Sequence, residues 1–260
     1  MLRSTTGLIN AQAQGYGLRD LLRDGRFYVY SGGQPTDPDA APTGTLGIIF
    51  TRNGDAYTPP VRSAGTVTLA GTAGSVASVK VGGMAYNLLA AAVPFNGTLG
   101  QTATDLAAAI NARENPLNIV AEAAGAVVTL YAPFWLGAEA DGLTVATTVS
   151  AEIGDDLTAT PVTFAGGTTA VNGLNLDFPA VDGVLSRSEA WLGLGLADIT
   201  AGWFRFVAGG SSVDGAGASN IRFDGTLATS GGDLQVGSLT IQTGAMQTFG
   251  ELELAIPASE

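Results

Sequence analysis

Histidine and cysteine are missing altogether from this 260-residue chain, and Lys80 is its only lysine. Without cysteine there are no disulfides, no thiolate nucleophiles and no zinc-thiolate sites. Without histidine there is no Ser-His-Asp or Cys-His triad and no imidazole metal ligand, which removes the commonest hydrolase and metalloenzyme designs. Basic residues total 11 against 23 acidic ones, a formal charge of -12. A surface that grips nucleic acid needs clustered lysine and arginine to displace counterions, so no nucleic-acid partner is expected. No window offers about 20 uninterrupted apolar residues, the length that crosses a bilayer. The first ten residues also lack the apolar core of a signal peptide, so the expectation is a soluble protein made in a cytoplasm, with no membrane partner.

What the chain does have is apolar residues and glycine. Hydrophobic residues make up 46%, and the 37 glycines follow no collagen period but fall between strand-like runs. Such a chain folds, and it folds with many tight turns. From Gly202 onward the runs Gly-Trp-Phe-Arg-Phe-Val, Asn-Ile-Arg-Phe-Asp-Gly, Gly-Asp-Leu-Gln-Val, Ser-Leu-Thr-Ile-Gln and Phe-Gly-Glu-Leu-Glu-Leu-Ala-Ile-Pro alternate apolar with polar residues and end at glycine or Asp-Gly. That is the pattern of antiparallel strands with one buried face. It puts Phe204 and Phe206 on one side of a strand and Arg205 on the other, and repeats this with Ile221 and Phe223 around Arg222. Leu252, Leu254 and Ile256 alternate with Glu251, Glu253 and Ala255 in the same way.

Earlier in the chain, residues 1 to 15 read as an extended arm. Tyr16 to Asp24 reads as a short helix, because Leu18, Leu21 and Leu22 fall at i, i+3 and i+4 and Gly25 stands at the C-cap. Arg26 to Tyr30 and Thr45 to Thr51 are strands separated by a segment with three prolines, and Asn53-Gly54 is a turn signal. Residues 58 to 65, with Pro59-Pro60, make a linker. Residues 65 to 167 differ in texture: strands at Thr66 to Leu69, Ser78 to Val81 and Met84 to Leu88, then a helix, then strands at Ile119 to Glu122, Val127 to Tyr131, Leu143 to Val149 and Pro161 to Phe164. The helix carries Leu106, Ala109 and Ile110 as its buried stripe, with Thr102 and Asp105 as a capping-box-like pair. The fold class expected is mainly β: an antiparallel β-sandwich or jelly-roll-like domain built from 16 to 64 and 168 to 260, interrupted by a small α+β module at 65 to 167.

Four separated segments carry a family likeness. They are Leu-Arg-Asp-Leu-Leu-Arg-Asp-Gly-Arg-Phe-Tyr-Val-Tyr-Ser-Gly-Gly-Gln-Pro (18 to 35), Asp-Ala-Ala-Pro-Thr-Gly-Thr-Leu (39 to 46), Ala-Gly-Trp-Phe-Arg-Phe (201 to 206) and the Phe-Asp-Gly-Thr-Leu with Gly-Gly-Asp-Leu of 223 to 234. In this order they resemble a family of small structural proteins of tailed bacteriophages and prophages. The insert, with Thr102 to Asn111 and a closing Phe164 to Gly167, is similar in style to modules of phage tail proteins. The resemblance implies a non-enzymatic virion component, made in the host bacterial cytoplasm and assembled as a homo-oligomer with other virion proteins, the major capsid or tail proteins. A head decoration or minor capsid role is expected first, and a tail, baseplate or fibre-associated role second. No catalytic residue, cofactor or metal is implied.

Candidate sites are few. Glu251 and Glu253 share a strand face, which reads as a solvated face that discourages edge pairing rather than as a glycosidase pair. Asp37, Asp39, Asp214 and Asp224 match no EF-hand or calcium-binding repeat, and Gly193-Leu-Gly195-Leu lacks the context of a phosphate cradle. Arg205 and Arg222 stand in the polar register of aromatic strands. Two readings are open for them: a local ion pair, with Asp224 or Glu251, or a contact to an acidic surface of a partner subunit. Leu18, Leu21 and Leu22 either cover the neighbouring sheet or dock into a neighbouring subunit. Tyr131, Phe134 and Trp135 form an apolar patch in a loop, either core filler or an exposed platform, and the latter would make a carbohydrate-binding module a third possibility.

Overall fold

The computed structural model describes residues 1–150, 152–177, 184–215, 220–249 and 253–255. The chain divides into two compact units, Met1–Pro59 with Ala170–Glu260, and Pro60–Thr169. Both are mainly β and antiparallel. In chain order the first unit begins with β1 (Arg3–Ser4), α1 (Thr6–Ala13), α2 (Leu18–Leu21), β2 (Arg26–Ser31) and β3 (Leu46–Arg52). The second unit contains β4 (Ala64–Ala70), β5 (Ser75–Val81), β6 (Val93–Pro94), α3 (Leu99–Asn111), β7 (Val120–Ala124), β8 (Val127–Tyr131), β9 (Val145–Val149) and β10 (Thr158–Ala165). The first unit then resumes with β11 (Val184–Ser186), β12 (Trp191–Leu194), β13 (Ile199–Val207), β14 (Arg222–Ala228), β15 (Leu234–Gln235), β16 (Thr240–Ile241), β17 (Met246–Phe249) and β18 (Glu253–Ala255).

The main sheet of the first unit runs β1-β14-β13-β2-β3-β12-β17, with β15 on β14 and β16 on β13, and β11 pairs separately with β18. Its inner face holds seven aromatic rings: Phe27, Phe50, Trp191, Phe204, Phe206, Phe223 and Phe249, all buried. Phe27 and Phe249 lie 4.7 Å apart by ring centroid, although β3 and β12 stand between their strands. In a flat sheet three strand spacings would separate them by about 14 Å. The sheet therefore curls until its β17 end folds over the middle strands across one aromatic core, as in a sandwich. The alternation read from Phe204, Arg205 and Phe206 holds, with Arg205 directly opposite Asp224 in the β13–β14 register.

The second unit has a four-stranded sheet, β10-β4-β8-β7, and a three-stranded one, β6-β5-β9. Between them and α3 lies an aliphatic core of Val67, Leu69, Val79, Leu106, Ile110 and Leu130 with their neighbours. Leu106, Ala107 and Ile110 form the buried stripe of the helix.

Three expectations need correction. Residues 1 to 15 are not an extended arm: Arg3–Ser4 pairs with β14, and Thr5 caps α1 by accepting from the Leu8 amide. Thr5 and Leu8 are buried, so the segment belongs to the fold. The helix cap in the second unit sits one turn earlier than Thr102 and Asp105. Thr98 accepts from the Gln101 amide at 3.1 Å, and Thr98 and Gln101 are the Thr-x-x-Gln spacing of a capping box. Met84 to Leu88 is not a strand, because the Asn87 side chain takes the Val79 amide and the Ala77 carbonyl that a further strand would need. Among residues 174 to 177, Leu174 and Leu176 make only isolated bridges, to Gly25 and Arg187. The alternation of Glu251, Leu252 and Ile256 lies outside the described residues. No helix among the described residues is long and apolar enough to cross a membrane.

Candidate functional site

The polar residues singled out in the aromatic strands meet on the outer face of the main sheet of the first unit. Arg205 and Asp224 are both fully buried and joined by a two-pronged pair, Nε to Oδ1 and Nη2 to Oδ2, each at 2.7 Å. Arg205 Nη1 donates to the carbonyls of Ala40 (3.0 Å) and Val213 (2.8 Å), and Nη2 donates also to Pro38 (3.2 Å). Arg222, equally buried, donates from Nε to Pro38, from Nη1 to Ser212 and Val213, and from Nη2 to Asp39 and Ala40. A guanidinium has five N–H donors, and each of these two has five acceptors.

The acceptors come from the proline-rich loop after β2 and from the turn after β13. Proline has no N–H, so Gln-Pro-Thr-Asp-Pro-Asp-Ala-Ala-Pro presents more carbonyls than it can pair internally. The buried arginines supply the missing donors and fasten the loop over the sheet. Around them Tyr30 stacks on Trp203 at 4.6 Å, and Trp203 Nε1 donates to the Thr43 carbonyl. Asp39 accepts from the Thr6 amide and hydroxyl, which ties α1 to the same loop. Burial pushes the Asp224 carboxyl above the usual carboxylate range, against the pull of the Arg205 hydrogen bonds and charge. Burial also lowers the Arg222 pKa, and the neighbouring Arg205 charge adds to this.

The ion pair to Asp224 is thus present, and the reading of Arg205 and Arg222 as contacts to a partner subunit is overturned. Both side chains are inaccessible, and neither has a donor left to offer. Sequence reasoning placed them on a polar strand face and missed that this face is covered as well. The available signal was the loop itself, a long acceptor-rich segment beside strands that carry isolated arginines. Leu21 and Leu22 are buried within the first unit while Leu18 is half-buried, so the first two have no surface to dock into a neighbour.

In the second unit, Tyr131, Phe134 and Trp135 are all half-buried. The Arg62 guanidinium lies 5.1 Å from the Tyr131 ring centre and 4.9 Å from that of Phe134, and its Nε donates to the Ala132 carbonyl at 2.6 Å. Burial lowers the Arg62 pKa. The cation covers two rings of the patch, which makes the patch a folded corner more than an open stacking platform.

The first unit also has a cleft of about 320 Å³ beside the folded-over β17 end of the sheet. Phe50, Leu227, Ile241 and Phe249 form its floor, and Gln235, Ser238, Gln247 and Thr248 its uncharged rim. Among the described residues no group of three or more acidic side chains could hold a metal ion. Searches of protein families, of curated proteins and of solved structures gave no match to this chain.

Proposed function

We propose that the chain is a non-enzymatic structural component of a tailed-bacteriophage virion, a head decoration or minor capsid protein that assembles as a symmetric oligomer on other virion proteins. The observation that carries the reading is the convergence of the family-like motifs on one construction. Residues 31 to 35 and 39 to 43, Trp203 with Arg205, and Asp224 lie far apart in sequence, and each contributes to the loop held over the sheet. Motifs that share one structural task support membership in a structural family better than separate matches would. The polar groups gathered there are spent on one another, which favours a scaffold over a reactive centre. An acidic exterior suits a component kept away from DNA.

Mass spectrometry of separated particles tests this. Tail-less heads should contain the protein in fixed proportion to the major shell protein. Recovery only with tails would replace the head role by the tail, baseplate or fibre-associated one. Absence from both fractions would overturn the virion reading altogether.

A further inference from the structure

Strand β12 is written the wrong way round for a sheet whose outer face meets water. In Trp-Leu-Gly-Leu-Gly-Leu (191 to 196) the buried positions are Trp191, Gly193 and Gly195, while Leu194 and Leu196 are 49% and 51% exposed. The glycines are required where they stand. A Cβ at Gly193 would lie 2.5 Å from the Ile49 carbonyl oxygen, and one at Gly195 would lie 2.0 Å from that of Gln242. Nothing of that kind requires leucine on the other side. Met246 of β17, 60% exposed, lies directly opposite Leu194 in the register, so the two side chains share a face. An antiparallel sheet face left to solvent normally alternates toward polar residues, and a contiguous apolar group in its place marks a contact surface.

The surroundings say what kind of contact. Residues 190 to 197 and 234 to 249 contain no charged side chain, in a chain of formal charge -12, and exposed charges stand at their rim: Asp198, which accepts from the Thr243 amide, and Arg52 and Asp55 on either side of Gly54, beside the Met246 sulfur. Two copies of so acidic a chain repel each other, and they touch at least cost where the centre of the contact is uncharged and the charges lie at its rim. An anionic membrane surface would be repelled by the same charge and finds a single flanking base here, Arg52, where lipid binding takes a cluster. Across a twofold axis, Leu194 and Leu196 of one copy would meet Met246 and the leucines of the other, a self-complementary arrangement. We propose that this apolar corner, anchored by Leu194, Leu196 and Met246, is the surface through which two copies of the chain associate. This deepens the oligomeric part of the proposed function and rests on that reading only for its biological setting.

Sedimentation equilibrium of the full chain, wild type and Leu194→Glu/Met246→Glu, tests it. The wild type should show a monomer–dimer equilibrium that tightens as salt is added, because screening weakens repulsion between like-charged copies. The variant should raise the dimer dissociation constant at least tenfold with an unchanged circular dichroism spectrum and melting temperature. Ile153→Glu, at an exposed apolar position in the second unit, should leave it unchanged. A wild type that stays monomeric at every concentration reached overturns the proposal, as does a dimer unaffected by the double substitution. A monomeric protein still found in virions would end this proposal and leave the proposed function standing.

Discussion

The two units reach stability by different chemistry. In the first, the sheet buries seven aromatic rings on its inner face, and at β13 and β14 it also buries two arginines with an aspartate on its outer face. In the second, the core is almost wholly aliphatic, with Phe164 its one fully buried aromatic ring, and the carboxylates sit at the surface. Aliphatic burial is non-directional and tolerates small adjustments. A buried polar network is directional, and removing one member strands the rest. The first unit should therefore be brittle at a few polar positions, and the second should respond to lost volume.

The largest effect is expected from Arg205→Met. It leaves the Asp224 carboxylate buried without its partner and removes the donors to Ala40, Val213 and Pro38, at a cost of about 3–5 kcal/mol. Hydrogen exchange should show the loss in segments 26–59 and 191–228 while segment 60–169 keeps its protection. The double substitution Arg205→Met with Asp224→Leu should recover part of that stability, since no unpaired charge remains. A double variant no better than the single one would show that the carbonyls, not the carboxylate, dominate. Next in size, Leu106→Ala in the second unit should cost about 3 kcal/mol through lost burial and the cavity left behind. Denaturant titration followed by exchange should place that loss in segment 60–169. Equal destabilisation of both units by either substitution would break the distinction between them.

The same distinction explains what could be read from the sequence. Period-two alternation made most strands of the second unit and the β2, β3, β13 and β14 strands legible, while the two-residue β6 was too short to read and Met84 to Leu88 was read as a strand that does not form. The cap of α3 was displaced by one turn because Gly97 and Gly100 flank Thr98 and obscure the start of the helix, whereas Thr102 precedes a clean apolar stripe. The arginine centre was half legible. Alternation put Arg205 and Arg222 on the correct face, and only long-range packing could reveal that a loop 165 residues away covers them. The first fifteen residues were misread for the same reason: α1 has little amphipathic pattern of its own, and it forms because Thr5 caps it and pairs with Asn220 and Arg222. Leu194 and Leu196 show the converse. They are apolar yet exposed, and Gly193 and Gly195 beside them are what occupy the buried side.

The smallest expected effect concerns acid, and it separates the units by sign. In the second unit Asp141 is held below the ordinary carboxylate range by the Ser63 hydroxyl and the Gly167 amide, Asp156 by the amides of Thr72 and Ala73, and Asp105 by Asn96 and Gln101. A carboxylate depressed in the folded state contributes stability that is present above its unfolded value near 3.8 and is lost as the pH falls through the folded one. In the first unit the raised Asp224 works the other way: the folded state binds its proton more readily, so acid does not withdraw stability through that group. Asp233 opposes this within the first unit, since the N-terminal amine and Thr226 outweigh its desolvation and hold it low. Three depressed carboxylates against one should make segment 60–169 lose exchange protection first as the pH drops below about 4. Asp141→Asn, which keeps an acceptor for Ser63 but cannot titrate, should flatten that decline. If both units lose protection together and the substitution changes nothing, these three carboxylates do not set the acid response of the second unit, which must then come from the change in its net charge.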